Sequence, residues 1–163
     1  MSMSDDEAFG FGEEATEEAI AGWDIDIAPD GTGLPPGSGT VEQGREIFER
    51  LGAPCHGMNG EGTDAAPALV GGHGSLSTDS PMETVGSYWP YATTLWDYIY
   101  RAMPATAPQS LTPDEVYAIV AFLLNANDII PADAVMDQDT LPQVIMPNRD
   151  GFTSPDPRPD VFS

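Results

Sequence analysis

The chain has 163 residues and a mass of 17.3 kDa, with 27 acidic residues against five basic ones, a formal charge of −22 and a pI near 4.1. That length holds one domain of ordinary size with extra segments. The bases are all arginines (Arg45, Arg50, Arg101, Arg149 and Arg158), which excludes binding of nucleic acid or of an anionic bilayer through clustered cations. High charge commonly accompanies disorder, but 40% apolar residues and three tryptophans call for a packed core.

Residues 1–38 read as an acidic arm. Within it, residues 16–22 can form a helical turn, residues 23–27 alternate in the manner of an extended segment, and residues 29–39 are a loop rich in Gly and Pro. Trp23, Ile25 and Ile27 are too apolar for a free tail, so the arm is expected to dock. A domain at residues 39–130 then carries three helices. The first is predicted over 41–51, with Thr40 as N-cap, Gln43 closing a capping box, and Val41, Gly44, Ile47, Phe48 and Leu51 on one face. Gly44 leaves a gap there for a second helix. The second is predicted over 94–102, with Leu95, Tyr98, Ile99 and Ala102 at helical spacing and Pro104 ending it. The third starts at Thr112-Pro113-Asp114-Glu115, an N-cap, a proline at the first position and a glutamate at the box position. It carries Val116, Ile119, Val120, Leu123 and Leu124 before Asn125 to Asn127 stop it. Between the first two helices lie about forty residues of loop, too many for a plain helical bundle and suited to a chain folded around a cofactor. From residue 131 to 163 the chain is a second, proline-rich acidic arm, in which residues 141–147 form an extended strip expected to pack on a surface.

The chemistry concentrates at Gly52-Ala53-Pro54-Cys55-His56. A c-type haem attachment site is Cys-x-x-Cys-His, with both thiols bonded to haem vinyls and the histidine ligating iron. Here glycine stands at the first thiol position, so Cys55 is left to make a single thioether and His56 to ligate iron. Cys55 is also the only cysteine, which excludes an internal disulfide and multi-thiolate zinc or iron–sulfur centres. A second axial ligand must come from the far face of the ring. Met58 is too close to His56 to reach it; Met82, His73 and Met103 are far enough along, and Met103, on a rigid segment between a helix end and Pro104, is favoured. Trp89, Tyr91 and Trp96 are candidates for pocket walls or plain core. No serine or cysteine triad is present, and acidic residues are too abundant for paired carboxylates to carry information. Catalytic residues are therefore not expected.

These residues resemble the class I cytochromes c: Gly44 and Phe48 match the N-terminal helix, Cys55-His56 the attachment site, Met103-Pro104 the distal ligand, and residues 117–124 the C-terminal helix that crosses the first. More narrowly, residues 23–26, 33–39, 88–104, 107–111 and 146–152 look like the monohaem cytochrome subunits that accompany molybdenum sulfite or sulfur dehydrogenases, including that of the Sox system. The resemblance implies an all-α class I cytochrome c fold with long loops around haem c and extended arms at both ends. It also implies a one-electron carrier between a molybdenum-containing dehydrogenase subunit and a downstream electron acceptor. The loss of the first thiol leaves a second reading, a haem-free subunit that keeps the fold and wraps its partner. Covalent haem implies a periplasmic or otherwise extracytoplasmic location. No apolar run is long enough to insert in a membrane, and the first seven residues lack the basic start and apolar stretch of a secretory signal, so the chain as written reads as a soluble form. Its acidic, lysine-free composition also fits a surface solvated in concentrated salt, where a Debye length of about 3 Å screens self-repulsion.

Overall fold

The computed structural model describes residues 12–153; residues 1–11 and 154–163 of the two arms, with Arg158, lie outside the described residues. In chain order the elements are α1 (Glu17–Ala21), β1 (Ser38–Thr40), α2 (Val41–Leu51), α3 (Ala53–His56), α4 (Ala92–Ala102), α5 (Pro113–Ala126) and β2 (Val135–Asp137). Short 3₁₀ turns lie at Ser75–Ser77 and Leu141–Gln143.

The helix boundaries follow from their caps. The Thr40 hydroxyl accepts the Gln43 N–H at 3.2 Å while the Gln43 side chain accepts the Thr40 N–H at 2.9 Å. The same reciprocal pair joins Thr112 and Glu115 at the start of α5. No side chain caps α4, and it begins at Ala92, ahead of the predicted 94, because nothing at its start marks the boundary. α5 continues to Ala126, where the buried Asn127 ends it. The Asn127 amide donates to the Leu123 and Leu69 carbonyls at 2.9 and 3.1 Å and accepts the Gly71 N–H at 3.0 Å, tying the long loop to the helix end.

The core is built on α5, whose residues from Val116 to Leu124 are all buried. α2 crosses it closely at Gly44, where a Cβ would lie 1.8 Å from the Ala118 carbonyl oxygen. Next to that crossing, the Phe48 and Phe122 rings meet with centroids 5.0 Å apart and the Arg45 guanidinium lies 4.9 Å above Phe122. α4 adds Leu95, Trp96 and Ile99.

Helical though the molecule is, the all-α expectation needs one correction. β1 and β2 pair antiparallel, with Gly39 opposite Met136, and so join the boundary of the first arm and the domain to the second arm. Gly39 lies flat on α5, its Cβ position 2.1 Å from the Ala118 nitrogen, which holds β1 where a partner strand can pair. Three-residue strands are too short to show a period of two in sequence.

The N-terminal arm docks in part. The Ile27 N–H donates to the buried Asp97 carboxylate at 3.1 Å, which also takes the Arg101 guanidinium at 2.7 Å. Thr93 donates to the Pro29 carbonyl at 3.2 Å, Leu34 packs against the core, and the Tyr117 hydroxyl donates to the Pro35 carbonyl at 2.9 Å. Trp23, expected to dock with Ile25 and Ile27, is instead 88% exposed. The turn that closes on the Ile20 carbonyl holds Trp23 ahead of the docked stretch. In the second arm, the strip at 141–147 packs as expected through the buried Leu141 and Met146, but it opens with a 3₁₀ turn started by Thr140-Leu141-Pro142. Tyr88 and Phe152 meet edge to face at 5.2 Å, and Asn148 donates to the Tyr88 carbonyl at 2.8 Å.

Candidate cofactor site

α2 ends at Gly52, whose N–H donates to the Phe48 carbonyl at 2.8 Å. α3 carries Cys55 and His56 in one turn, with Pro54 in its first turn, where a missing N–H costs nothing. Gly57 follows at φ +82, a left-handed conformation that turns the chain away directly after His56. Both carbonyls of the pair are engaged: the Thr63 hydroxyl donates to that of Cys55, and the Gly62 N–H to that of His56 at 2.7 Å.

The imidazole is held as well. Its Nδ1 lies 2.9 Å from the Pro67 carbonyl oxygen. A carbonyl only accepts, so Nδ1 carries the proton and the Nε2 lone pair is left for a metal. Pro67 was not identified from sequence; the loop fold alone brings it back to His56.

Cys55, His56 and Met103 all line one cavity of about 520 Å³, within the range of about 300–1,000 Å³ usual for cofactor sites. Its walls are apolar: Phe48 and Leu51 from α2, Leu95 and Ile99 from α4, Ile119 and Leu123 from α5, Leu69, Val85 and Trp89 from the long loop. Among the described residues, Glu83 is the one carboxylate on the lining. Met103 is the half-buried C-cap of α4, in extended backbone at φ −118, ψ 148, with its N–H on the Ile99 carbonyl at 3.0 Å. Leaving helical geometry there fixes the thioether against the cavity.

The other candidates lie elsewhere. His73 borders a separate, polar recess with Asn127 and Ile145; Met82 and Met58 are 45% and 55% exposed and outside the lining. Of the three aromatic wall candidates, only Trp89 borders the cavity. Trp96 is fully buried behind it, stacked on Tyr100 at 4.9 Å and beside Tyr117, and Tyr91 lies under the Arg149 guanidinium. Tyr88 and Tyr98 supply the remaining aromatic wall, Tyr98 meeting Trp89 edge to face at 5.6 Å. At Gly52 the Phe48 ring occupies the adjoining space, with ring carbons 2.6 and 2.7 Å from where a Cβ would stand.

The cytochrome c family model matches residues 41–127. No curated protein sequence matches. Among solved structures, the chain is similar to one in the crystal structure of the sulfane dehydrogenase SoxCD from Paracoccus pantotrophus, with 45% identity and a TM-score of 0.87, over 95% of this chain and 76% of that one. Two helices crossing at a glycine, a Cys-His pair facing an apolar cavity, and these two likenesses together give one conclusion: the chain belongs to the cytochrome c family.

Proposed function

We propose that this chain is a one-electron carrier that holds haem c and relays electrons from a molybdenum-containing sulfite or sulfur dehydrogenase to a downstream acceptor. The observation that carries this reading is the shared cavity: one thiol, one imidazole with its Nε2 free, and one thioether, all bordering a space that is otherwise apolar. That donor set fits haem c. Cys55 would form one thioether bond, His56 and Met103 would hold the iron, and Gly52 offers no second bond. When bound, the iron supplies a one-electron couple.

This chain's residues would set the terms of that couple. The Pro67 carbonyl keeps Nδ1 protonated and makes Nε2 the donor. A methionine sulfur together with a histidine nitrogen as ligands would favour the reduced metal and raise the potential. Walls of Leu, Ile, Val and Phe exclude water, which further disfavours the more highly charged oxidised state.

The dehydrogenase partner is inferred from the likeness to a SoxCD chain together with the resemblance carried by residues 88–104 and 146–152. The domain at 39–130 would carry the electron, and the arms at 1–38 and 131–163 would hold the partner. Because covalent haem attachment in this family happens outside the cytoplasm, the working location is periplasmic or otherwise extracytoplasmic. No helix among the described residues is long and apolar enough to cross a membrane.

The test is anaerobic mixing of the oxidised cytochrome with the molybdenum dehydrogenase and its sulfur substrate. The expected result is growth of the reduced-haem α-band, with each cytochrome taking up one electron. A spectrum that stays oxidised while the dehydrogenase reduces an artificial acceptor would contradict the relay.

A further inference from the structure

We propose that Ile20 and Trp23 form an apolar hook by which this chain grips the catalytic dehydrogenase subunit, an inference that rests on the partner proposed above. α1 is capped by the Thr16 hydroxyl, which accepts the Ala19 N–H at 3.1 Å. The Trp23 and Asp24 N–H groups then close on the Ile20 carbonyl at 2.9 and 2.8 Å. This turn carries two large apolar side chains that the described residues leave largely exposed: Ile20 is 50% and Trp23 88% exposed. Trp96, by contrast, is fully buried.

The hook stands on an anchored stem. Four residues beyond Trp23, the Ile27 N–H is held by Asp97, the Pro29 carbonyl by Thr93, and Gly31 lies under the Pro142 ring of the other arm. An indole presented from a fixed backbone loses little freedom on binding, and tryptophan is the residue type most enriched where interface energy concentrates. Covering 95% of this chain, the likeness to the SoxCD chain takes in this arm as well as the domain.

Charge selects the occupant. Glu17, Glu18, Asp24 and Asp26 flank the hook, exposed and without an ion-pair partner among the described residues. The complementary surface is an apolar notch wide enough for an indole and rimmed by lysine or arginine. A second copy of this chain does not offer one among its described residues. It carries −22 and no lysine, and its described arginines are engaged at Phe122, Glu115, Asp97 and Tyr91.

Titration calorimetry of the haem-loaded full chain against the purified dehydrogenase subunit tests this. Trp23→Ala is expected to weaken binding about tenfold or more, Trp23→Phe by less, and Leu76→Ala, another exposed apolar residue, not at all. Since Trp23 is 88% exposed, unchanged circular dichroism and haem spectra are expected to accompany the loss. Equal affinity of wild type and Trp23→Ala would overturn the hook and leave the partner standing. Absence of binding by the wild type would defeat the partner reading and the hook with it. A concentration-dependent dimer in sedimentation, lost in Trp23→Ala, would assign the hook to a second copy and overturn the proposal.

Discussion

His56 is oriented before any metal arrives. Its Nδ1 is committed to Pro67, its carbonyl to Gly62, and the left-handed turn at Gly57 fixes the chain beyond it. Met103 comes to the same cavity from a different element, so its proposed role can be tested on its own. Met103→Ala is expected to lose native low-spin ligation and to bind carbon monoxide in the ferrous state, while His73→Ala and Met82→Ala keep the wild-type spectrum. Loss of ligation in His73→Ala instead would reassign the second ligand. Tyr117 gives a pH test. Burial, then the nearby Asp137 and Asp139 carboxylates, push its hydroxyl from 10.0 up to about 12. Because the raised value favours the protonated folded form, its stabilisation is complete below pH 10 and is lost as pH rises towards about 12. Tyr117→Phe should cost about 1 kcal/mol at neutral pH through the lost bond to Pro35 and should flatten the alkaline fall in urea stability. An unchanged alkaline slope would contradict this origin. Cys55, His56 and Met103 were legible as candidates, the first two from the attachment motif and the methionine from its place at a helix end, and the structure brings all three to one cavity, where their ligand roles are proposals. Pro67, Tyr88 and Asn127 were not legible, since each acts through a contact that only the folded loop creates.

Among the elements, the α2–α5 crossing organises the rest. Gly44 was legible as a gap on an apolar face, and the structure puts the Ala118 carbonyl into that gap. Gly44→Ala drives a methyl group into backbone, which neither helix can relieve by turning a side chain. The expected loss is about 3 kcal/mol, read as a lower urea midpoint; a loss below about 0.5 kcal/mol would show that the helices can separate at that point. Helices α2 and α5 were legible to the residue at their starts because each opens with a reciprocal box. α4 was placed two residues late for want of any cap. The β1–β2 ribbon left no trace in the pattern, as its register comes from Gly39 lying against α5.

At the scale of the molecule, the two arms meet over the domain: Pro142 of one covers Gly31 of the other, and both reach the segment that leads into and along α4. The sequence indicated that apolar residues would dock these arms, Trp23, Ile25 and Ile27 in the first and residues 141–147 in the second, but not every one of them does. Ile27, Leu34, Leu141 and Met146 pack inward, while Trp23 is held out by the turn on the Ile20 carbonyl and Ile145, next to the buried Met146, takes the other side of its extended strip. Deleting residues 133–163 removes β2 and the strip over Tyr88, and is expected to weaken association with the dehydrogenase; unchanged co-purification would refute a role for that arm. The central claim, an iron porphyrin tethered through one sulfur, is tested most directly by acid-acetone extraction and a pyridine haemochrome spectrum of protein co-expressed with haem-maturation factors. Haem that stays with the protein, with an α-band between that of free haem and that of a two-thioether Gly52→Cys variant, is the predicted result. Colourless protein, or haem that passes wholly into the acetone, would contradict it.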